Sequence, residues 1–233
     1  MNTKKEEITL IGKRRTVAKR MTEIWQQVPH VTLNREIDFA ATEAGCKKFR
    51  EERETAGVRV TITDFIHRAV VLSLKENPRL NATWEGETIA CWEEVNLGMA
   101  TSVPDGLIVP VFQKADGLDI CQLAGERQRL QELAVKGKLG FGDLQGGTFT
   151  VTNLGAFGID FFNPIINAPQ VAILAVGRLK EKKTICFSLS FDHRAMDGVP
   201  AARFLQSLAD LLAEPARLTT TNAIIPPLEK EES

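Results

Sequence analysis

Residues Thr184–Phe191 and Pro200–Leu212 change hydrophobic period across one short connection, and that change restricts the fold more than any other feature of the chain. In TICFSLSF, Ile185, Phe187, Leu189 and Phe191 recur at every second position, which reads as a strand with one face turned inward. In PAARFLQSLADLLAEP, Phe204, Leu205, Leu208, Leu211 and Leu212 share one helical face. His193 therefore lies in a tight connection at an element end, between a strand with an inward face and a helix with one apolar face. The connection between them, DHRAMDGV, holds His193, with Asp197 four residues on and Gly198 directly after it.

The same reasoning places the other elements. Val17, Ala18, Met21, Ile24 and Trp25 form one helical stripe, and after Pro29 the period drops to two through Val31, Leu33 and Ile37. Helices are expected from about Phe39 to Glu54 and from Thr63 to Lys75, the second opened by Thr63-Asp64 and stopped by Asn77-Pro78. Short strands are expected in LNATW, TIACW, VNLGMAT and LIVPVF, punctuated by Glu85-Gly86 and Pro104-Asp105-Gly106. A helix follows through Ile120, Leu123, Ala124, Arg127, Leu130 and Leu133, then strands in TFTVTN and QVAILAV. Strands and helices are both abundant without alternating strictly. The expected class is therefore α+β, a sandwich with a mixed sheet and helices packed on it.

Composition narrows the function. The 233 residues carry 29 Lys and Arg against 30 Asp and Glu, a net charge of -1, so no basic surplus exists for nucleic acid. The start, MNTKKEE, has no apolar segment behind it, and no apolar run is long enough to span a membrane. Cys46, Cys91, Cys121 and Cys186 are scattered and have too few histidines around them for a zinc site, so they read as reduced thiols of a cytoplasmic protein with no bound metal. Neither G-x-G-x-x-G nor a P-loop is present, so a nucleotide would need another kind of site. His30 and His67 read as packing or surface histidines.

On local pattern alone His193 has two readings. It is a loop residue beside a helix N-terminus, with Asp197 near the cap and Gly198 in the turn. Alternatively, the strand end and helix start hold an imidazole rigidly, and imidazoles, which titrate near ~6.5, accept protons at neutral pH.

Longer motifs separate the two. FDHRAMDG resembles the H-x-x-x-D-G signature of the dihydrolipoamide acyltransferase cores of 2-oxo acid dehydrogenase complexes, which share their fold with chloramphenicol acetyltransferase. GKRRTVAKRM, PHVTL, NLGMATSVPDGLIVPVF, LQGGTFTVTNLGAFGIDFFNPIINAPQVAILAVG and SLSFDHRAMDGVPAARFLQSLADLL follow in that family's order, covering roughly Ile8 to Leu218. The resemblance implies acyl transfer, acetyl by preference, between dihydrolipoamide and coenzyme A. It makes His193 the general base, Thr152 the hydroxyl that stabilises the oxyanion, and Asp197 a partner that orients the loop by pairing with Arg14, Arg15 or Arg20. It also implies coenzyme A contacts at Arg50, Thr61, Ser102, Gln131, Asn153, Gly177 and Leu179, with Ser102 and Ala156 departing from the residues of some relatives.

Assembly is implied as well: a homotrimer with the histidine of one copy facing the hydroxyl of the next, built up to a 24-mer or a 60-mer beside the dehydrogenase partner subunits. Expected boundaries are a lead at 1–7, the catalytic domain at 8–218 and a tail at 219–233. No lipoyl or peripheral-subunit-binding domain is read in the sequence, so the lipoyl group comes from another domain or chain. Two other readings remain: a coenzyme A-dependent acyltransferase for a free small molecule, and a non-catalytic scaffold subunit. Retention of His193, Thr152 and Asp197 speaks against the scaffold.

Overall fold

A computed structural model describes residues 5–52, 57–104 and 106–220. Helix α1 (Gly12–Gln27) leads into strand β1 (His30–Asp38) and helices α2 (Ala40–Glu52) and α3 (Ile62–Glu76). Hairpin β2 (Ala82–Glu85) and β3 (Thr88–Cys91), strand β4 (Leu97–Met99), hairpin β5 (Thr101–Val103) and β6 (Gly106–Ile108), and strand β7 (Val111–Phe112) precede α4 (Ile120–Val135). Strands β8 (Phe149–Asn153), β9 (Ala172–Val176) and β10 (Thr184–Asp192) are followed by α5 (Gly198–Ala213) and α6 (Pro215–Leu218).

The expected α+β architecture is present as a six-stranded mixed sheet in the order β1-β10-β9-β8-β4-β7. Strands β8 and β9, and β4 and β8, pair in parallel, and the other pairs are antiparallel. Helix α5 packs on β1 and β10, and Phe204 meets Phe149 of the sheet with ring centroids 5.6 Å apart. Helix α3 lies against α5 and α4, and every residue from Asp64 to Leu74 is buried. A helix covered on all sides needs apolar residues all round, which IHRAVVLSL nearly supplies.

Several local expectations shift. Pro110 splits LIVPVF into β6 and β7, because proline has no N–H for the ladder. Leu80 belongs to the 3-10 turn Pro78–Leu80 instead of a strand. Helix α3 starts one residue earlier than expected and is capped at Thr61, since Asp64, three residues on, accepts both the Thr61 backbone N–H and its hydroxyl at 2.7 Å. The helix end at Glu54, the turn residue Asp105, Met1 to Lys4 of the lead and the tail beyond Thr220 lie outside the described residues.

Two faces differ from their sequence pattern. Strand β10 buries Ser188, Ser190 and Asp192 at no more than 2% exposure, as deeply as its apolar face. Helix α1 forms as expected, yet Val17 and Trp25 of its stripe are exposed and only Ile24 is buried. No helix among the described residues is long and apolar enough to cross a membrane. Truncating Phe204 to Ala removes a side chain with no exposure at the contact of α5 with the sheet. The expected loss is about 3–5 kcal/mol, read as a lower urea midpoint with an unchanged slope.

Candidate active site

Strand β10 delivers His193 to the surface and several backbone bonds fix the turn that follows. The His193 N–H donates to the Pro29 carbonyl at 3.1 Å, and Ala195 N–H donates to Asp192 O at 2.9 Å. Met196, buried in the core, anchors the far side of the turn just before α5 begins. The imidazole itself is exposed, tilted against Phe191 at 5.8 Å, with no hydrogen bond to its ring nitrogens among the described residues. Asp197 is the N-cap residue of α5 by its backbone, without a side-chain cap bond.

The expected pairing of Asp197 with an N-terminal arginine does not form within one chain. Asp197, Arg14 and Arg15 have no ion pair among the described residues, and Arg20 gives its Nη2 to the Ala168 carbonyl at 2.6 Å. The physical reason is placement: Asp197 is exposed at the start of α5, and the Arg20 guanidinium is already taken by the loop before Pro169.

Sheet register locates the expected catalytic hydroxyl. Thr152 pairs with Ala175, and Ala175 with Ser188, so Thr152 lies level with Ser188 two strands away. His193 is five residues further on, just past the end of β10, and at about 3.3 Å per residue and about 4.8 Å per strand the two Cα atoms are roughly 19 Å apart. One chain therefore does not bring Thr152 and His193 together. Strand alternation also turns Thr152, half-buried, to the face shared with Thr148 and Thr150, while Phe149, Val151 and Asn153 face the helices.

On the helix side a cleft of about 610 Å³ gathers four of the expected coenzyme A residues, Gln131, Asn153, Gly177 and Leu179. Thr61 immediately precedes Ile62 in its wall, and Ala156 also lines it. Arg50, exposed in the last turn of α2, and Ser102, exposed on β5, are not among its lining residues. Gly177 has no room for a side chain, because a Cβ there would stand 2.0 Å from the Asp160 carbonyl oxygen.

Behind the cleft sits a buried ionic network. Arg127 Nε meets Asp64 Oδ1 at 2.7 Å, its Nη2 meets Oδ2 at 3.2 Å, and its Nη1 donates to Gln131 Oε1 at 3.0 Å. Thr61 and Gln131 are thus held as members of this network, which leaves the Gln131 amide N–H₂ for the cleft. Asp64 and Arg127 carried one sequence signal each: Asp64 stands three residues after Thr61, and Arg127 interrupts the apolar stripe of α4.

The other two histidines are structural. His30 stacks on Trp25 at 5.5 Å, its Nδ1 lies 2.8 Å from the Val28 carbonyl, and its Nε2 accepts from Ile166 N–H at 3.1 Å, so the ring proton is on Nδ1. His67 lines the cleft, edge-on to Phe112 at 5.3 Å, and burial pushes its pKa down to about 4 against the opposing pull of Asp64. All four cysteines are free, and burial raises the thiol pKa of Cys46 and of Cys186.

Known proteins resemble the chain over nearly its whole length. The family described as 2-oxoacid dehydrogenases acyltransferase (catalytic domain) matches residues 2–220. The dihydrolipoyllysine-residue acetyltransferase component of the acetoin cleaving system of Bacillus subtilis is 38% identical over 92% of this chain and 57% of its own length. The lipoamide acyltransferase component of the branched-chain alpha-keto acid dehydrogenase complex of Pseudomonas putida is 36% identical over 93% of this chain and 54% of its own. The chain thus spans little more than half of either relative. Among solved structures, a probable dihydrolipoamide acetyltransferase from Listeria monocytogenes superposes with a TM-score of 0.82 at 33% identity, covering 95% of this chain and 98% of that one. The cubic core of the pyruvate dehydrogenase multienzyme complex gives 0.85 at 34%, covering 93% and 95%. Chloramphenicol acetyltransferase, at 11% identity and 0.56, covering 83% of this chain and 94% of its own, shares the fold.

The His67 imidazole makes stability pH-dependent. Its folded pKa of about 4 lies below the unfolded value near ~6.5, so the unfolded chain binds the extra proton between those limits. This contribution is complete above about pH 6.5 and is lost as pH falls towards 4, by about 3 kcal/mol in all. Urea unfolding at pH 5.0 should show about 2 kcal/mol of that loss relative to pH 7.5 in the native chain, and a smaller loss in His67→Met.

Proposed function

The chain belongs to the 2-oxoacid dehydrogenase acyltransferase catalytic-domain family, and on that footing we propose that it moves an acyl group, acetyl by preference, between dihydrolipoamide and coenzyme A. The observation that carries this reading is the exposed imidazole of His193 on a turn tied down at both ends, with Thr152 roughly 19 Å away in the same chain. The two groups serve one reaction only when a second copy supplies the missing half.

In the proposed site the His193 imidazole takes the proton of the coenzyme A thiol as sulfur attacks the thioester carbonyl of acyl-dihydrolipoamide. A free thiol, with pKa ~8.5, is mostly protonated at neutral pH, so this base is needed. The carbonyl π pair moves onto oxygen, where the Thr152 hydroxyl of the neighbouring copy donates a hydrogen bond. Collapse restores the C=O bond and expels the dihydrolipoamide sulfur, which recovers the proton from the imidazolium. The helix-side cleft, with Gln131, Asn153, Gly177 and Leu179, receives coenzyme A, helped at its margins by Thr61; outside the cleft, Arg50 is a phosphate partner and Ser102 a further coenzyme A contact.

The working unit is a homotrimer with three shared sites, built up to a 24-mer or 60-mer beside the dehydrogenase subunits. Exposed Ile8, Leu10, Ile11, Val17 and Trp25 give one chain an apolar flank that such contacts would cover. Asp197 takes its arginine partner from the adjoining copy. The catalytic domain is residues 8–218, the lipoyl group arrives on another domain or chain, and the four free thiols suit the cytoplasm.

His193→Ala should lower acetyl transfer from acetyl-CoA to dihydrolipoamide to background with the oligomer intact by sedimentation. Thr152→Val should lower kcat about 10²- to 10³-fold, while Thr152→Ser stays near native. Full activity in His193→Ala overturns the proposal. A panel of acyl-CoA donors offered with dihydrolipoamide, small alcohols and amines decides between this acceptor and a free small molecule, and inactivity with every acceptor makes the chain a scaffold.

A further inference from the structure

The turn that carries His193 is straddled by a side-chain clamp. Asp192, the last residue of β10, is 2% exposed, so its carboxylate needs a partner inside the protein. Arg194 supplies it in a two-pronged contact, with Nε 3.0 Å from Oδ1 and Nη2 2.7 Å from Oδ2, and the Arg194 backbone N–H donates to Oδ1 at 3.0 Å. The guanidinium carbon also stands 4.3 Å from the ring centroid of Trp84 on β2. The Trp84 backbone is itself anchored, its main-chain N–H donating to the Pro169 carbonyl at 2.7 Å, so the stack ties the turn to the hairpin β2–β3.

The geometry points to Arg194 as a positioning residue for His193. The fork from Arg194 to Asp192 closes a small ring around the backbone of residue 193, and the stack on Trp84 keeps that ring from swinging. With the 192–194 backbone locked, the imidazole retains only its own side-chain rotations, and it is aimed outwards where the adjoining copy would bring its hydroxyl. Arginine suits both contacts because its guanidinium is planar: one edge forks the carboxylate while a face lies on the indole. A lysine offers a charge without fork or plane. Without the clamp the turn keeps the core anchor of Met196 and, among the described residues, backbone bonds to Pro29, to Val171 and within residues 192–196, while no side-chain bond flanks His193. A drift of about 1 Å at a reacting group can cost about 10²-fold in rate. This inference rests on the acyl-transfer reading and adds to it a residue that touches neither substrate.

The test measures acetyl transfer from acetyl-CoA to dihydrolipoamide by the assembled oligomer, with His193→Ala in the same assay. Arg194→Lys should lower kcat about tenfold and Arg194→Gln about a hundredfold, with KM for acetyl-CoA within about twofold of native. Trp84→Leu, which leaves the fork intact, should lose about tenfold in kcat with the same unchanged KM. Because Arg194→Gln strands a buried carboxylate, which opposes folding, Asp192→Asn combined with Arg194→Gln removes that charge and should be folded and as slow as Arg194→Gln. Native kcat in folded, assembled Trp84→Leu and the double variant overturns the inference, as does a loss confined to KM or matched by loss of oligomer. If His193→Ala is inactive while these variants keep native kcat, only the clamp fails. If His193→Ala is fully active, the acyl-transfer reading fails.

Discussion

Strand β10 is paired along all nine of its residues with β1 and over five of them with β9, and both of its faces are buried. A slip of one residue would exchange Ile185, Phe187, Leu189 and Phe191 with Cys186, Ser188, Ser190 and Asp192, sending polar atoms into the core against α5. The register is therefore specified twice over, and it decides which residue is the first to leave the sheet. That residue is His193. The chemistry proposed for it follows from a strand that cannot slide more than from any property of the loop.

The same alternation divides β8 between two tasks. Asn153 faces the helix-side cleft with Val151, while Thr152 turns to the opposite face beside Thr148 and Thr150. Thr150 hydrogen-bonds Gln170 at 2.6 Å and Thr148 hydrogen-bonds Asn81 at 2.5 Å, so their hydroxyls are occupied. Thr152 lies at the end of this row with no side-chain hydrogen bond among the described residues, which leaves its hydroxyl able to serve a substrate. A run of β-favouring threonines thus contains two that satisfy the interior and one that does not.

Where function depends on local period, the sequence was legible. The elements around His193, the helix α4 and the strand TFTVTN follow from spacing alone, and long motifs in order supplied the family and four residues of the cleft. Interactions between distant segments were not legible. The Asp64–Arg127 pair joins residues 63 positions apart, and the stack of Arg194 on Trp84 joins two elements with no shared pattern. Hydrophobic period also could not tell that Val17 and Trp25 of the α1 stripe would remain exposed, because it marks an apolar face without saying what covers it.

The exposed apolar residues of the first segment and the distance between His193 and Thr152 bear on each other. A net charge of -1 provides little repulsion between copies, so an apolar flank of this size favours association. Under the proposed reading, the contact has to join the His193 end of one chain to the Thr152 face of another. A head-to-tail contact presents one such end and one such face per interface, and it closes into a ring when the rotation permits. A two-fold contact would have to bring both His193–Thr152 pairs, each roughly 19 Å across within its chain, into one self-complementary patch. Under that reading a ring gives every copy a complete site from a single kind of contact.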